Sequence, residues 1–167
     1  MILNVLMQKQ LMDQWCWAAV ASSISFYFNS NNNGLYHGDI AGPLISPDCA
    51  GVNSNSAGSF SQCDIAKDLG LVLQKTKNYA WELSNALSMD QVADQLNGGY
   101  PICCQINWPG LAVAHYIIVY GLDGTNLLIG DPALNNFWAD YTYLTTNYGN
   151  HGGIWGRTIG TQAQLTT

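Results

Sequence analysis

The hydrophobic pattern of this chain changes at about residue 100, and that change restricts its fold more than any other feature. Before it, apolar residues recur at helical spacing, and after it they form short runs typical of strands. Helices followed by antiparallel strands predict an α+β fold. A helical half, about 1–99, packs on a sheet half, about 100–167, with a cleft between them. The 167 residues contain no internal repeat and no linker, so we expect a single domain.

Three segments have helical spacing together with the boundary residues of helices. They are Gln14–Phe28, a segment from Ser61 or Gln62 to Leu69, and a segment from Ser88 to Gly98. Asp13 is the expected N-cap of the first, and Ser88 with Gln91 forms a capping-box pattern at the start of the third. Residues 35–60 are rich in Gly, Pro, Ser and Asn and are predicted to be irregular, and 71–73 to be a short extended piece.

The second part of the chain reads as consecutive strands. The predicted strands are Ile102–Trp108, His115–Leu122, Thr125–Gly130, a segment near Trp138–Leu144, and Gly152–Ile159. Asp123-Gly124 is a hairpin signal. Cys103 and Cys104 are neighbours in one predicted strand, so we expect their side chains on opposite faces of the sheet.

Three residue types with nucleophile, base and orienter chemistry occur in order along this pattern. Cys16 begins the first helix, where backbone N–H groups and the helix dipole favour the thiolate. His115 opens an apolar strand, and Asp131 follows the next strand. A cysteine on an N-terminal helix with His and Asp on later strands is the chain order of a papain-type cysteine peptidase.

The geometry of the hairpin decides whether His115 and Asp131 can meet. A plain two-residue turn centred between Asp123 and Gly124 would place their side chains on opposite faces. The pair therefore requires an odd-length loop or a β-bulge near Gly121 or Gly130, and hence an even register sum near His115. In a regular ladder the orienting role would fall to other polar residues, of which the next are Asp140, Asn135 and Asn136.

Composition excludes several other classes of function. The net charge is −6, and the five Lys and Arg residues are scattered, which argues against a nucleic-acid surface. No apolar run reaches the roughly 18 residues of a membrane helix. Neither a pair of CxxC elements nor HExxH occurs, so we expect no metal and no cofactor. Residues 1–8 lack the features of a signal peptide, and a monomer is favoured.

The five cysteines suit one reactive thiol and up to two structural pairs. Cys49 and Cys63 flank a loop rich in Gly, Ser and Asn. They either form a disulfide that closes this loop or are two buried thiols.

Several short blocks resemble one known family of enzymes. In order, they are Gln10 six residues before Cys16, Cys16-Trp17-Ala18-Ala19, Cys63-Asp64-Ile65, Pro101-Ile102, His115 through Gly121, Asp131-Pro132, and Tyr148 through Trp155. Together they span nearly the whole chain. In them the chain resembles the papain-like cysteine peptidases, above all the bacterial branch that contains the avirulence effector proteases. It is more distantly similar to staphopains and bacteriocin-leader peptidases.

This resemblance implies a cysteine endopeptidase that acts on polypeptides, with Cys16 as nucleophile. His115 would pair with the thiolate and protonate the leaving amine, and Asp131 would orient the imidazole. The Gln10 amide and the Cys16 N–H would form the oxyanion hole, with Gln14 and Gln8 as nearby competitors for the Gln10 role. Resemblance to effectors also implies action outside the producing cell.

Other readings of these residues stay open. The same three residues would serve a glutamine deamidase or a transglutaminase, since both pass through a thioester. The fold could also be a catalytically silent module that binds peptides. Individually, Cys16 could be a small core residue, His115 a core histidine and Asp131 a turn residue before Pro132.

Overall fold

The computed structural model describes residues 1–30 and 32–165. Its strands are β1 (Tyr79–Leu83), β2 (Ile102–Asn107), β3 (Ala114–Asp123), β4 (Asn126–Gly130), β5 (Phe137–Asp140) and β6 (Ile154–Thr161). Its α-helices are α1 (Cys16–Phe28), α2 (His37–Leu44), α3 (Leu69–Lys75), α4 (Met89–Asn97) and α5 (Tyr141–Thr146), and 3-10 turns cover Pro47–Gly51 and Ala57–Cys63. The strands form one antiparallel sheet in the order β1-β6-β2-β3-β4-β5, so the predicted α+β class is confirmed.

Apolar cores lie on both faces of this sheet. One joins Cys103 and Ile118 to the side chains of α1, α2 and α3, and the other joins Cys104 and Ile117 to Leu96 of α4 and residues near α5. Because side chains alternate along a strand, neighbouring residues of β2 and β3 enter different cores. The predicted opposite orientation of Cys103 and Cys104 is confirmed.

Helix α1 runs through the interior. Every residue from Cys16 to Phe26 is buried, and its small residues let neighbouring elements approach closely. The helix begins at Cys16, with Trp15 as an N-cap that makes no side-chain capping bond, so the predicted start at Gln14 and the Asp13 cap were wrong. Cys16 is consequently the first helical residue, and its own N–H has no acceptor within the helix.

A bulge in the β3–β4 hairpin fixes which face Asp131 occupies. Near the turn, Asp123 pairs with Asn126, but further along Ile118 pairs with Gly130, and the register shifts between Val119 and Gly121. The sum of paired positions thus changes from 249 to 248. The predicted bulge near Gly121 and the even sum are confirmed, whereas the turn is centred one residue later than predicted.

Close contacts explain why this bulge sits at a glycine. A Cβ at Gly121 would lie 2.7 Å from the Leu128 Cβ. The backbone displaced by the bulge is satisfied by the start of the chain, because the Leu3 N–H donates to the Tyr120 carbonyl at 2.8 Å.

The middle of the chain was predicted less well. The predicted helix at 61–69 is a 3-10 turn ending at Cys63 followed by extended chain, and α3 occupies 69–75, including the stretch predicted as extended. Helix α2 lies in the segment predicted as irregular, and β1 was missed. The last predicted strand before β6 divides into β5 and α5 at Asp140, whose carboxylate accepts from the Thr142 N–H. The capping box of Ser88 and Gln91 is confirmed.

Cys49 and Cys63 form a disulfide, with a Cα–Cα distance of 5.7 Å. Both are fully buried against α1, and the Trp15 indole N–H donates to the Cys63 carbonyl at 2.7 Å. The disulfide joins the two 3-10 turns to each other, and the hydrogen bond from Trp15 to Cys63 holds them against the start of α1.

We predict that reduction of this disulfide lowers the melting temperature by about 6–12 °C, because closing a loop of about 15 residues contributes about 3 kcal/mol. Thermal unfolding followed by circular dichroism with and without a reductant measures the shift. The double variant Cys49→Ala/Cys63→Ala is the control, since reductant should not alter its melting temperature further. An unchanged melting temperature of the wild-type protein on verified reduction would contradict the prediction.

Candidate active site

A cleft of about 790 Å³ lies between α1 and the loops at one end of the sheet. Its lining includes the predicted residues Cys16, His115 and Asp131. Trp17 and Trp108 form an aromatic part of the wall, and the exposed rim carries Val113 and Leu134. The sequence elements that lie about 100 residues apart thus meet in one concavity.

His115 and Asp131 are in direct contact. The His115 Nε2 lies 2.8 Å from the Asp131 Oδ1, as the register prediction required. Continuing the register of 248 would place Asp131 opposite Ile117, which is two residues from His115 and so on the same face. The two side chains are diagonal neighbours across the ladder, a separation that a His and an Asp can span.

The Asp131 carboxylate is 2% exposed and has three donors. Its Oδ1 accepts from the His115 ring and from the Ala133 N–H, both at 2.8 Å, and its Oδ2 accepts from the Tyr148 hydroxyl at 2.5 Å. Burial alone would raise the pKa of Asp131, but the hydrogen bonds from His115 and Tyr148 outweigh it and hold the pKa below its usual value. The carboxylate is therefore an anion in the folded protein.

Cys16 and His115 line the same cleft. Asp131 occupies the Nε2 atom of His115, which leaves Nδ1 as the ring nitrogen available to the thiol. Burial lowers the pKa of His115, but hydrogen bonds to Asp131 and to Cys16 outweigh it and raise the pKa to about 9. The imidazolium form is thus favoured between a carboxylate and a thiol, which is the condition for an ion pair with a thiolate.

Cys16 is nearly buried. The residue is only 9% exposed and belongs to the apolar core on the α1 side of the sheet. Its sulfur nevertheless lines the cleft. The other two free thiols, Cys103 and Cys104, are completely buried, and burial raises the pKa of each.

The two glutamines before Cys16 have different surroundings. The Gln10 amide nitrogen donates to the carbonyls of Met12 and Asp13 at 3.0 and 2.8 Å, and Gln10 is not part of the cleft lining. Gln14 does line the cleft, with its amide nitrogen donating to the Asp64 carbonyl at 3.1 Å. The expectation that the Gln10 side chain projects into the cleft is therefore not met in this structure.

The tryptophans that flank Cys16 position the facing wall of the cleft. The Trp17 indole N–H donates to the Ile65 carbonyl at 2.9 Å, next to the bond from Trp15 to Cys63. The Asp64 carboxylate accepts the Gln14 N–H at 2.8 Å. The Cys63-Asp64-Ile65 block thus lies alongside the start of α1 instead of opening a helix, which corrects the sequence-based placement.

An ion-pair cluster holds the far end of that wall. Asp68 caps α3 and lines the cleft, and the Arg157 guanidinium of β6 binds it at 2.7 Å. The hydrogen bond from Arg157 lowers the pKa of Asp68 and, despite burial, keeps it charged. Arg157 also pairs with Glu82 of β1, so the cleft wall is tied to two strands of the sheet.

Two further observations delimit the chemistry of residues 1–30 and 32–165. Within this described part, no group of three His, Cys, Asp or Glu side chains could hold a metal ion. No helix there is long and apolar enough to cross a membrane.

Sequence reasoning did miss one functional candidate, Tyr148, which appeared only as part of a matching block. Its contact with Asp131 spans 17 residues and depends on α5, which the sequence pattern did not indicate.

Two solved structures similar to this chain are described as peptidases. A C39-like peptidase from Bacillus anthracis superimposes with a TM-score of 0.62 at 14% identity, covering 99% of this chain and 98% of that one. The peptidase domain of Streptococcus ComA, a bi-functional ABC transporter involved in a quorum sensing pathway, gives a TM-score of 0.57 at 15% identity, covering 94% and 97%. At these identities the likeness shows the fold. No curated protein sequence matches the chain significantly.

The sequence itself shows the family. The model of the family described as papain-like cysteine protease AvrRpt2 matches residues 2–139, which include Cys16, His115 and Asp131. The match covers most of the chain and contains all residues that line the cleft except Tyr148 and Gly149. The chain therefore belongs to the AvrRpt2 family of papain-like cysteine proteases.

Proposed function

We propose that this peptidase is an endopeptidase that cleaves polypeptides through a Cys16-His115-Asp131 triad and a thioester intermediate. The observation that carries the proposal is the position of His115, which is hydrogen-bonded to Asp131 through Nε2 and lines the same cleft as Cys16. These three residues line a cleft of about 790 Å³, which we propose accepts the polypeptide substrate.

The proposed reaction has two stages. The Cys16 thiolate attacks the scissile carbonyl carbon, and the His115 imidazolium donates its Nδ1 proton to the departing amine, which leaves an acyl thioester on Cys16. Neutral His115 then removes a proton from water, the hydroxide adds to the thioester carbonyl, and the thiolate leaves. Asp131 remains ionised throughout and stabilises the imidazolium.

The oxyanion formed in each stage needs donors. The Cys16 N–H at the start of α1 is one, because the helix leaves it without an acceptor. We propose the Gln10 amide as the second, on the family spacing of six residues before Cys16. Its side chain lies outside the cleft lining in this structure and must turn toward Cys16 when the oxyanion forms. Both of its contacts are neutral carbonyls, and a bond to an oxyanion is roughly twice as strong as a neutral one, so one carbonyl can be exchanged for the developing charge.

The Cys49–Cys63 disulfide also bears on where the protein acts. Disulfides persist in oxidising surroundings and are rare in the cytosol. We therefore propose action outside the cytosol of the producing cell, in line with the resemblance to effector proteases.

Mass spectrometry of treated substrates tests the reaction type. For a panel of unlabelled polypeptides, we expect new fragments whose masses sum to the substrate plus one water, and no fragments with Cys16→Ala. A gain of about 1 Da at glutamine without fragments would instead indicate a deamidase, and amine adducts a transglutaminase. Absence of all three from the wild-type protein, together with saturable peptide binding, would identify a silent binding module and contradict the proposal.

We predict that kcat/KM falls above about pH 9, where His115 loses its proton. Asp131→Asn should move this alkaline limb down by about 1 to 3 pH units, because an opposite charge that raises the pKa of His115 is removed. The pH–rate profiles of the wild-type protein and of Asp131→Asn locate the alkaline limb in each. Asp140→Asn is the matched control, since that carboxylate contacts Thr125 and Thr142 instead. An alkaline limb that stays in place in Asp131→Asn would contradict the assignment of Asp131.

Paired variants separate the two glutamines. We predict that Gln10→Ala lowers kcat by about 100- to 1,000-fold, the usual effect of removing one oxyanion donor. Gln14→Ala should change kcat by less than about tenfold, since it removes a positioning contact with Asp64. Steady-state kinetics and melting curves of both variants provide the comparison. The reverse ranking in variants of equal stability would transfer the donor role to Gln14.

A further inference from the structure

Tyr148 reaches the site from the opposite side of Asp131, and the reaction proposed above assigns it no role. We propose that Tyr148 is a positioning residue for this triad: its hydroxyl holds the Asp131 Oδ2 atom so that Oδ1 stays directed at the His115 ring. The proposal rests on the proposed function and adds a residue to it. The hydrogen bond of the Tyr148 hydroxyl goes to Asp131, not to Cys16 or His115.

The contacts of Asp131 leave no substitute for this hydroxyl. Oδ1 is shared by the His115 ring and the Ala133 N–H, whereas Oδ2 has the Tyr148 hydroxyl, at 2.5 Å. The terminal torsion of an aspartate is broad and roughly two-fold, so Oδ1 alone does not fix the carboxylate plane. With the aspartate 2% exposed, water has little access to replace a lost donor.

Tyr148 is itself held rigidly. Its backbone exchanges two hydrogen bonds with Gly153, at 2.9 and 3.1 Å, and a Cβ at Gly153 would lie 2.7 Å from the Tyr148 carbonyl oxygen. The ring is 3% exposed and packs against three aromatic rings, those of Trp108, Phe137 and Tyr143. A rigid ring transmits a defined direction to the carboxylate, which a flexible donor would not do.

The hydroxyl keeps its proton over the working range. Burial and the adjacent negative charge of Asp131 both raise the pKa of Tyr148, so it acts as donor to the carboxylate. That donation contributes to the lowered pKa of Asp131. Removing the hydroxyl therefore raises the pKa of Asp131. The acidic limb of the kcat/KM profile, to the extent that it reflects protonation of Asp131, then moves to higher pH.

The primary test compares Tyr148→Phe with Tyr143→Phe. The Tyr143 hydroxyl lies in the same aromatic cluster but accepts the Gly149 N–H at 2.9 Å, so its loss controls for removing a phenol from this region. For Tyr148→Phe we expect kcat to fall by about 10- to 100-fold, from loss of a hydrogen bond to a charged group, with KM within about twofold. The acidic limb should rise in Tyr148→Phe and stay in place in Tyr143→Phe.

A double-variant cycle distinguishes positioning from general support of the fold. If Tyr148 acts through Asp131, adding Tyr148→Phe to Asp131→Ala causes no further loss of kcat, whereas independent effects would multiply. A multiplicative loss overturns the proposal. So does a Tyr148→Phe protein with wild-type kcat while Asp131→Ala is strongly impaired, and in that case the triad stands. Wild-type kcat in Asp131→Ala would overturn the triad and, with it, this proposal.

A second substitution covers the case in which Tyr148→Phe does not fold. Replacing Tyr148 by 3-fluorotyrosine keeps the ring and the hydroxyl but makes the hydroxyl more acidic and a stronger donor. The acidic limb should then move to lower pH, opposite to the shift expected for phenylalanine. A limb that does not move in a folded fluorotyrosine protein overturns the proposal.

Discussion

One extra residue in β3 determines whether this cleft can contain an acid–base pair. Without the bulge between Val119 and Gly121, the register set at the turn would continue, and Asp131 would lie opposite Ile118. Its carboxylate would then point away from His115, into the other core. The bulge shifts the pairing by one and moves Asp131 to the His115 face. The hydrogen bond and the pKa shifts of His115 and Asp131 therefore depend on the register of this hairpin.

Burying the negative charge of Asp131 costs free energy, and hydrogen bonds within the site offset that cost. A buried carboxylate is unfavourable unless it is well hydrogen-bonded. Here the offset comes from His115, Ala133 and Tyr148, each from a different part of the chain. The same anion raises the pKa of His115 to about 9, so one buried charge keeps the imidazole protonated beside the Cys16 sulfur. The charge on the imidazole beside Cys16 thus depends on Asp131.

The sequence predicted those parts of the fold that follow from short-range pattern. Periodicity identified α1, α4 and the β2–β3–β4 ladder, and alternation placed Cys103 and Cys104 on opposite faces. The need for contact between His115 and Asp131 predicted the bulge, because register arithmetic on a hairpin allows few solutions. Prediction failed where tertiary contacts override local signals. Helix α2 forms in a segment with Gly and Pro because it packs on α1 and on the disulfide-closed loop.

The residues of the candidate site also divide into those that the sequence predicted and those that it did not. Residues whose role follows from their own chemistry, such as Cys16 and His115, could be named from the sequence. Tyr148 could not, because tyrosine is common in cores and its relation to Asp131 arises only when α5 turns the chain back toward β6. Sequence blocks therefore identify the groups that we propose to react, whereas the contacts of these groups with other residues follow from the topology. In this fold those contacts come from the loop after β4, which contains Ala133, and from the segment between α5 and β6, which contains Tyr148.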